Sequence, residues 1–198
     1  MKKILYSVAL AACCMGTMTS CSDFLDASNK SNVTAKQSFA TKEGLNNLVN
    51  NAYQHLQNVY AAPLFTSCFS AGTDMYADAR NKMNEALNTY ETLTPENTDI
   101  KNLYTYLYSG IRAANSVSYY AQTAQVDDKT KGQLVGEARV LAAYEYYLLV
   151  NNFGGVPIMK DFLTTADTGY PKSSAAEVYA YIISELEDVI GKNVLQAS

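Results

Sequence analysis

Gly136-Glu-Ala-Arg-Val-Leu-Ala-Ala-Tyr-Glu-Tyr-Tyr-Leu-Leu-Val-Asn-Asn-Phe-Gly-Gly-Val-Pro-Ile158 is the stretch that decides the fold. With the residues before it, Leu134, Ala138, Leu141, Tyr144, Leu148 and Leu149 recur at helical spacing. This predicts a helix that starts near Asp127 or Asp128, either of which can cap it, and runs to about Asn152. Its second half is apolar almost all round, as expected of a buried helix. Asn151-Asn-Phe-Gly-Gly-Val-Pro157 is a compact turn cluster that ends it.

Three further helices surround this one. From Thr41 to about Tyr60 there is no Pro, and Leu45, Leu48, Val49, Ala52, Leu56 and Val59 form one apolar stripe. Between Thr98 and about Gln122 the set Ile100, Leu103, Tyr104, Leu107, Tyr108, Ile111 and Ala114 keeps the rhythm, with Lys101, Thr105, Ser109, Arg112 and Ser116 largely opposite. Pro95 and Asn97 fit the entry turn of that helix. Ser174-Ala-Ala-Glu177 has capping-box spacing ahead of Val178, Ile182, Leu186, Val189 and Ile190, which predicts a fourth helix. β-Branched residues alternate nowhere for long, so the chain reads as all-α. Antiparallel helix pairs joined by short polar turns are what helical-repeat proteins use, although the letters show no period of about 34 residues and no TPR consensus.

The amino terminus reads differently. Met1-Lys2-Lys3 is basic, Ile4 to Met15 is apolar, and Gly16 to Ser20 are small or polar before Cys21. The apolar run is too short to cross a bilayer and has the order of a secretory signal. Met18-Thr19-Ser20-Cys21 resembles a lipobox, in which the Cys is acylated and the chain is cut before it; Met18 stands where Leu is commonest. Palmitate-type chains at Cys21 would each bury CH2 groups at about 0.8 kcal/mol apiece, and two or more anchor stably where one does not. Residues 1–20 are therefore expected to be a lipoprotein signal peptide, 21–38 a lipidated Cys with a flexible polar tether, and 39–198 a helical domain. Cys13 and Cys14 leave with such a signal and Cys21 is taken by lipid, so Cys68 stands alone and no intramolecular disulfide is expected.

Composition excludes some classes. The chain is 48% hydrophobic and 17% charged, apolar enough for a core. Lys and Arg number 15 against 19 acids, a net charge of −4; loss of Lys2 and Lys3 makes it 13 minus 19, or −6. Such a surface does not attract phosphate backbones, and no nucleic-acid partner is expected. Trp is absent and Tyr numbers 16, so flat faces carrying a hydroxyl are plentiful.

Several segments resemble one family. They are Cys21-Ser-Asp-Phe-Leu-Asp26 after the lipobox, Leu107-Tyr-Ser-Gly-Ile-Arg-Ala-Ala-Asn115, the Gly136–Ile158 stretch, and Pro171-Lys-Ser-Ser-Ala-Ala-Glu-Val-Tyr179 at the family's usual distance. Together they look like a SusD/RagB outer-membrane nutrient-uptake lipoprotein. The resemblance implies TPR-like helical hairpins and attachment to the outer membrane facing the exterior. It also implies capture of oligosaccharide for a SusC-like TonB-dependent transporter, without catalysis. It covers nearly the whole chain but only the amino-terminal portion of the SusD-like α-helical fold, so the domain at 39–198 is expected to be incomplete. Ala142 departs from the family, which usually has Arg there.

Sugar recognition needs aromatic faces for pyranose C–H groups and Asp, Asn or Arg groups for hydroxyls, all on one exposed surface. Ala71-Gly-Thr-Asp-Met-Tyr-Ala-Asp-Ala-Arg-Asn81 places Asp74, Tyr76, Asp78, Arg80 and Asn81 close together, and these are the candidate ligand residues. The plainer reading is that Asp74 and Asp78 cap turns or pair with Arg80 while Tyr76 covers core. Tyr119, Tyr120, Tyr144, Tyr146 and Tyr147 lie at helical spacing and are expected to pack. Glu137 and Arg139 are two apart and do not face each other on a helix, so interhelical pairing explains them better than a catalytic pair. His55 is the only His and has no ligand-spaced partners, so it is expected on a helix surface. Gly154-Gly155 is a turn and not a phosphate loop. No catalytic residue, metal site or cofactor is expected. The leading reading is a glycan-uptake lipoprotein. The alternatives are a TPR-like scaffold for a peptide or protein partner, or a truncated fragment that binds nothing.

Overall fold

Four long helices carry the structure, and each begins at a side chain able to accept its first free amides. In the computed structural model, which describes residues 34–61, 63–76, 85–164 and 169–192, six α-helices occur. They are α1 (Ala35–Ser38), α2 (Lys42–Tyr60), α3 (Glu85–Thr89), α4 (Thr98–Ala121), α5 (Asp128–Phe153) and α6 (Ala175–Gly191). The signal segment 1–20 and Cys21 lie outside the described residues. The four long helices fall within about a residue of their expected bounds. Short elements without a periodic signal were not foreseen: α3, a π-helical turn at Thr66–Ser70, and α1, which occupies the last residues of the stretch read as a tether.

The caps explain the agreement. Thr41 accepts from the Gly44 N–H at 3.1 Å, Asn97 accepts from Asp99 and Ile100 at 3.0 and 3.2 Å, and Asp127, rather than Asp128, caps α5 by accepting from Thr130 at 2.9 Å. At α6 the Ser174 hydroxyl accepts from the Glu177 N–H at 3.3 Å while the Glu177 carboxylate accepts from the Ser174 N–H at 2.7 Å, completing the capping box. Ser174→Ala is expected to destabilise the chain by about 1 kcal/mol in urea unfolding followed by helical circular dichroism. An unchanged midpoint would show that the box contributes nothing.

Successive long helices run antiparallel, as hairpins require. Gly110 of α4 lies against Glu145 of α5. Further along, Val117 and Ala121 share a core cluster with Leu134 and Ala138. Between α5 and α6, Arg139 meets Glu185 and Asp188 while Asn151 meets Tyr179. Tyr53 to Glu137 and Tyr60 to Tyr144 have the same sequence separation, so α2 and α5 are parallel neighbours. The core has two centres. One joins Leu45, Leu48 and Ala52 of α2 to Ala113, Val117 and Ala121 of α4 and to Leu134, Ala138 and Ala142 of α5. The other joins Val59, Leu103, Leu107, Ile111, Tyr146, Leu149, Val178 and Ile182. Small residues on α4 let the helices approach closely; a Cβ at Gly110 would overlap the Glu145 carboxylate. No strand forms among the described residues, only an isolated antiparallel bridge between Pro157 and Lys172.

The Phe-Gly-Gly-Val-Pro turn has a steric reason. Gly154 closes α5 at φ 69°, a left-handed conformation that suits glycine, and its N–H reaches the Val150 carbonyl at 3.0 Å. Gly155 passes so close to the Ser173 carbonyl that a Cβ would overlap it. The Ser173 N–H donates to the Val156 carbonyl at 3.2 Å, which ties this turn to the start of α6.

Candidate functional site

From that turn the chain runs back across α4 and α5, and three side chains clamp it. The Tyr108 hydroxyl donates to the Pro157 carbonyl at 2.8 Å, and Asn115 Nδ2 donates to the Met159 carbonyl at 2.8 Å. The Met159 N–H donates to the Tyr146 hydroxyl at 2.7 Å, and that hydroxyl lies 3.3 Å from the Met159 carbonyl. Burial raises the Tyr108 hydroxyl above the usual phenol range, so it stays a neutral donor.

A groove opens between this segment and the outer face of α4. It holds about 480 Å³ and is lined by Tyr104, Thr105, Tyr108, Ser109, Arg112, Pro157, Met159 and Tyr170. The α4 contributors recur at helical spacing, so one helix face supplies two aromatic rings, two hydroxyls and a guanidinium. Tyr104 packs against Tyr108 with ring centroids 4.7 Å apart and meets Phe153 edge-on at 5.2 Å, which fixes its ring while leaving it partly exposed. Beyond Arg112 a second cavity of about 360 Å³ is lined by residues that include Asn51, His55, Ser116, Tyr120 and Phe162. Ser109 and Arg112 line both spaces. Phe162 is held by Tyr119 and Tyr120 at 5.4 and 5.8 Å, and the Arg112 guanidinium sits 5.6 Å from its centroid.

The groove thus offers a ligand aromatic faces, hydroxyls and a guanidinium. No group of three or more His, Cys, Asp or Glu able to hold a metal occurs among the described residues, and no described helix is long and apolar enough to cross a membrane. Cys68 is a free, half-buried thiol, and burial raises it to about 12, far from a reactive thiolate.

Of the residues expected from sequence to bind ligand, Asp74 and Tyr76 do not line this groove. Asp74 is exposed and Tyr76 half-buried in the turns after the π-helical segment. Asp78, Arg80 and Asn81 lie outside the described residues. By periodicity alone, Thr105, Ser109 and Arg112 form the polar side of a helix and Tyr104 and Tyr108 part of its apolar stripe. The signal available was their adjacency: aromatic and hydroxyl residues side by side on one helix face.

Two expectations about single residues need correction, and the pairing expected of Glu137 and Arg139 holds. Tyr146 is fully buried, but Tyr144 and Tyr147 are exposed, because α5 turns only one side of its aromatic run inward, and Tyr119 of α4 is exposed as well. His55 is not a plain surface residue: it is half-buried, its Nδ1 is enclosed without a hydrogen-bond partner, and burial lowers its pKa. Glu137 and Arg139 do pair between helices. Glu137 accepts from the Tyr53 hydroxyl at 2.8 Å, and Arg139 bonds Glu185 at 2.6 Å and also Asp188, contacts that hold it firmly cationic.

Comparison with known proteins agrees with this arrangement. The model of the SusD-like family described as starch-binding and associating with the outer membrane matches residues 23–195. The SusD-like protein P38 of Formosa agariphila is 28% identical over 179 residues, which cover 88% of this chain and 34% of that protein. Surface glycan-binding protein A from Bacteroides uniformis superposes with a TM-score of 0.66 at 26% identity, covering 77% of this chain and 35% of the other. A laminarin-binding SusD-like protein shares the fold, with a TM-score of 0.64 at 20% identity over 74% of this chain and 33% of its own. The chain thus spans about a third of the length of these relatives.

Proposed function

Since this chain belongs to the SusD-like family, we propose that it captures oligosaccharide at the outer membrane and performs no chemistry on it. In this reading Cys21 carries the lipid that holds the helices at the exterior face, and a SusC-like TonB-dependent transporter receives the sugar. The observation that carries the proposal is the α4 groove. Tyr104 and Tyr108 offer aromatic surface to the C–H faces of a pyranose, and Thr105, Ser109 and Arg112 offer hydrogen bonds to its hydroxyls. Its size lies in the range of about 300–1,000 Å³ that small-molecule sites occupy. The glycan-binding relative from Bacteroides uniformis supports the choice of ligand.

Isothermal titration of the full chain against neutral and acidic oligosaccharides tests this. Heat is expected with at least one of them, and Tyr104→Ala is expected to weaken that binding about fivefold to tenfold, the worth of one aromatic contact. Heat with none of them would overturn the proposal.

One observation favours a second reading, a helical scaffold for a protein partner. Tyr53 and Tyr60 of α2, Tyr144 and Tyr147 of α5 and Tyr179 of α6 are exposed on one continuous face, linked by the Tyr60–Tyr144 contact and the stacked Tyr144–Tyr147 pair. Tyrosine is enriched where proteins meet. Loss of transporter co-purification on Tyr147→Glu, with sugar binding intact, would assign this face to a protein.

A further inference from the structure

The groove and the second cavity meet at Arg112, and their charge is one-sided. No Asp or Glu lines either space among the described residues, and Arg112 carries the only full charge there, in a chain whose net charge is −4. A cation in an acidic protein ordinarily finds a carboxylate, as Arg139 does with Glu185 and Asp188. Arg112 instead lies by the Phe162 ring, a contact that does not use its in-plane N–H donors for a carboxylate. The planar guanidinium matches a carboxylate by two parallel hydrogen bonds, which an ammonium does not do. His55, whose Nδ1 is enclosed and unpartnered, lines the same cavity.

We propose that this site selects an acidic saccharide, with Arg112 holding the carboxylate of a uronic acid residue while Tyr104 and Tyr108 take neighbouring ring faces. The inference rests on the glycan-capture reading and names the class of sugar. A neutral sugar would leave Arg112 solvated and would gain only the aromatic contacts. The carboxylate adds a charge-assisted hydrogen-bonded pair, worth roughly tenfold or more in affinity.

The test is titration of the full chain with oligogalacturonate, oligomannuronate and glucuronoxylan fragments, each beside its methyl ester, which keeps the backbone and removes the charge. At least one acid is expected to bind about tenfold more tightly than its ester, more weakly as salt rises, and without that preference in Arg112→Gln. Because Arg112 is exposed, the variant is expected to keep its fold, and circular dichroism checks this. Acid and ester binding alike, a preference that survives Arg112→Gln, or binding of neutral gluco-oligosaccharides alone would each overturn this inference and leave glycan capture standing. Heat with no saccharide of either kind would remove glycan capture itself, and this inference with it.

Discussion

Tyr146→Ala lowers the unfolding free energy by about 3–5 kcal/mol, the range for truncating a buried aromatic ring. The ring is fully enclosed in the core shared by α4, α5 and α6, and it meets Tyr181 and Tyr108 edge-on at 5.4 and 6.5 Å. Its hydroxyl is also the anchor for Met159, one wall of the groove, so the damage reaches beyond packing. Tyr146→Phe isolates that second effect. The ring stays, the Met159 N–H loses its acceptor, and the cost falls to about 1–3 kcal/mol. Sugar affinity should drop in the Phe variant although no groove-lining side chain has changed. Chemical denaturation gives the stabilities. An Ala variant within about 1 kcal/mol of the parent would mean the three helices do not close around this ring.

The chain should lose stability as pH rises from 7 to 8.5, by about 2 kcal/mol, and Glu145→Gln should abolish most of that slope. Glu145 is fully buried on α5 against Gly110, and neither carboxylate oxygen has a hydrogen-bond partner. Desolvation pushes its carboxyl from 4.5 up to about 9. Below pH 4.5 both folded and unfolded chains hold the proton, and the site's stability is fully present. Between 4.5 and 9 the folded chain holds a proton that the unfolded chain has released, so each pH unit favours unfolding by about 1.4 kcal/mol. Above 9 both states are ionised and the slope ends. The lowered pKa of His55 acts with the opposite sign below the ordinary histidine value of 6.5, where the unfolded chain binds the extra proton. Working above pH 7 separates the two. Denaturation midpoints across this interval decide it: parallel slopes for parent and Glu145→Gln would place the carboxylate in contact with water.

Local signals made the helices legible and left the site largely hidden. Ser174 and Glu177 announce α6 because their bonds span one turn, and the apolar rhythm of α2 and the Leu103, Leu107, Ile111 and Ala114 part of that of α4 survive into the core. The aromatic run of α5 was harder to read. With apolar residues nearly all round, spacing does not reveal which tyrosines face inward, and Tyr146 is buried while Tyr144 and Tyr147 are not. Glu145 sits in the same run and reads as a surface acid until Gly110 of another helix is placed over it. The groove depends on contacts such as Tyr108 to Pro157, separated by 49 residues, and on a segment with no periodicity of its own. The sequence offered Asp74 and Tyr76 as residue types suited to sugar, but nothing in the local letters says that α4 would carry a groove under the returning chain.

The central claim is that sugar is held on α4 beside Pro157, Met159 and Tyr170, and ring-labelled tyrosine NMR of the full chain tests it most directly. On titration with a saccharide that gives heat, the account predicts shifts at Tyr104, Tyr108 and Tyr170, while Tyr53, Tyr60, Tyr144, Tyr147 and Tyr179 stay where they are. Shifts confined to the second group, with Tyr104 and Tyr108 unmoved at saturation, would contradict it.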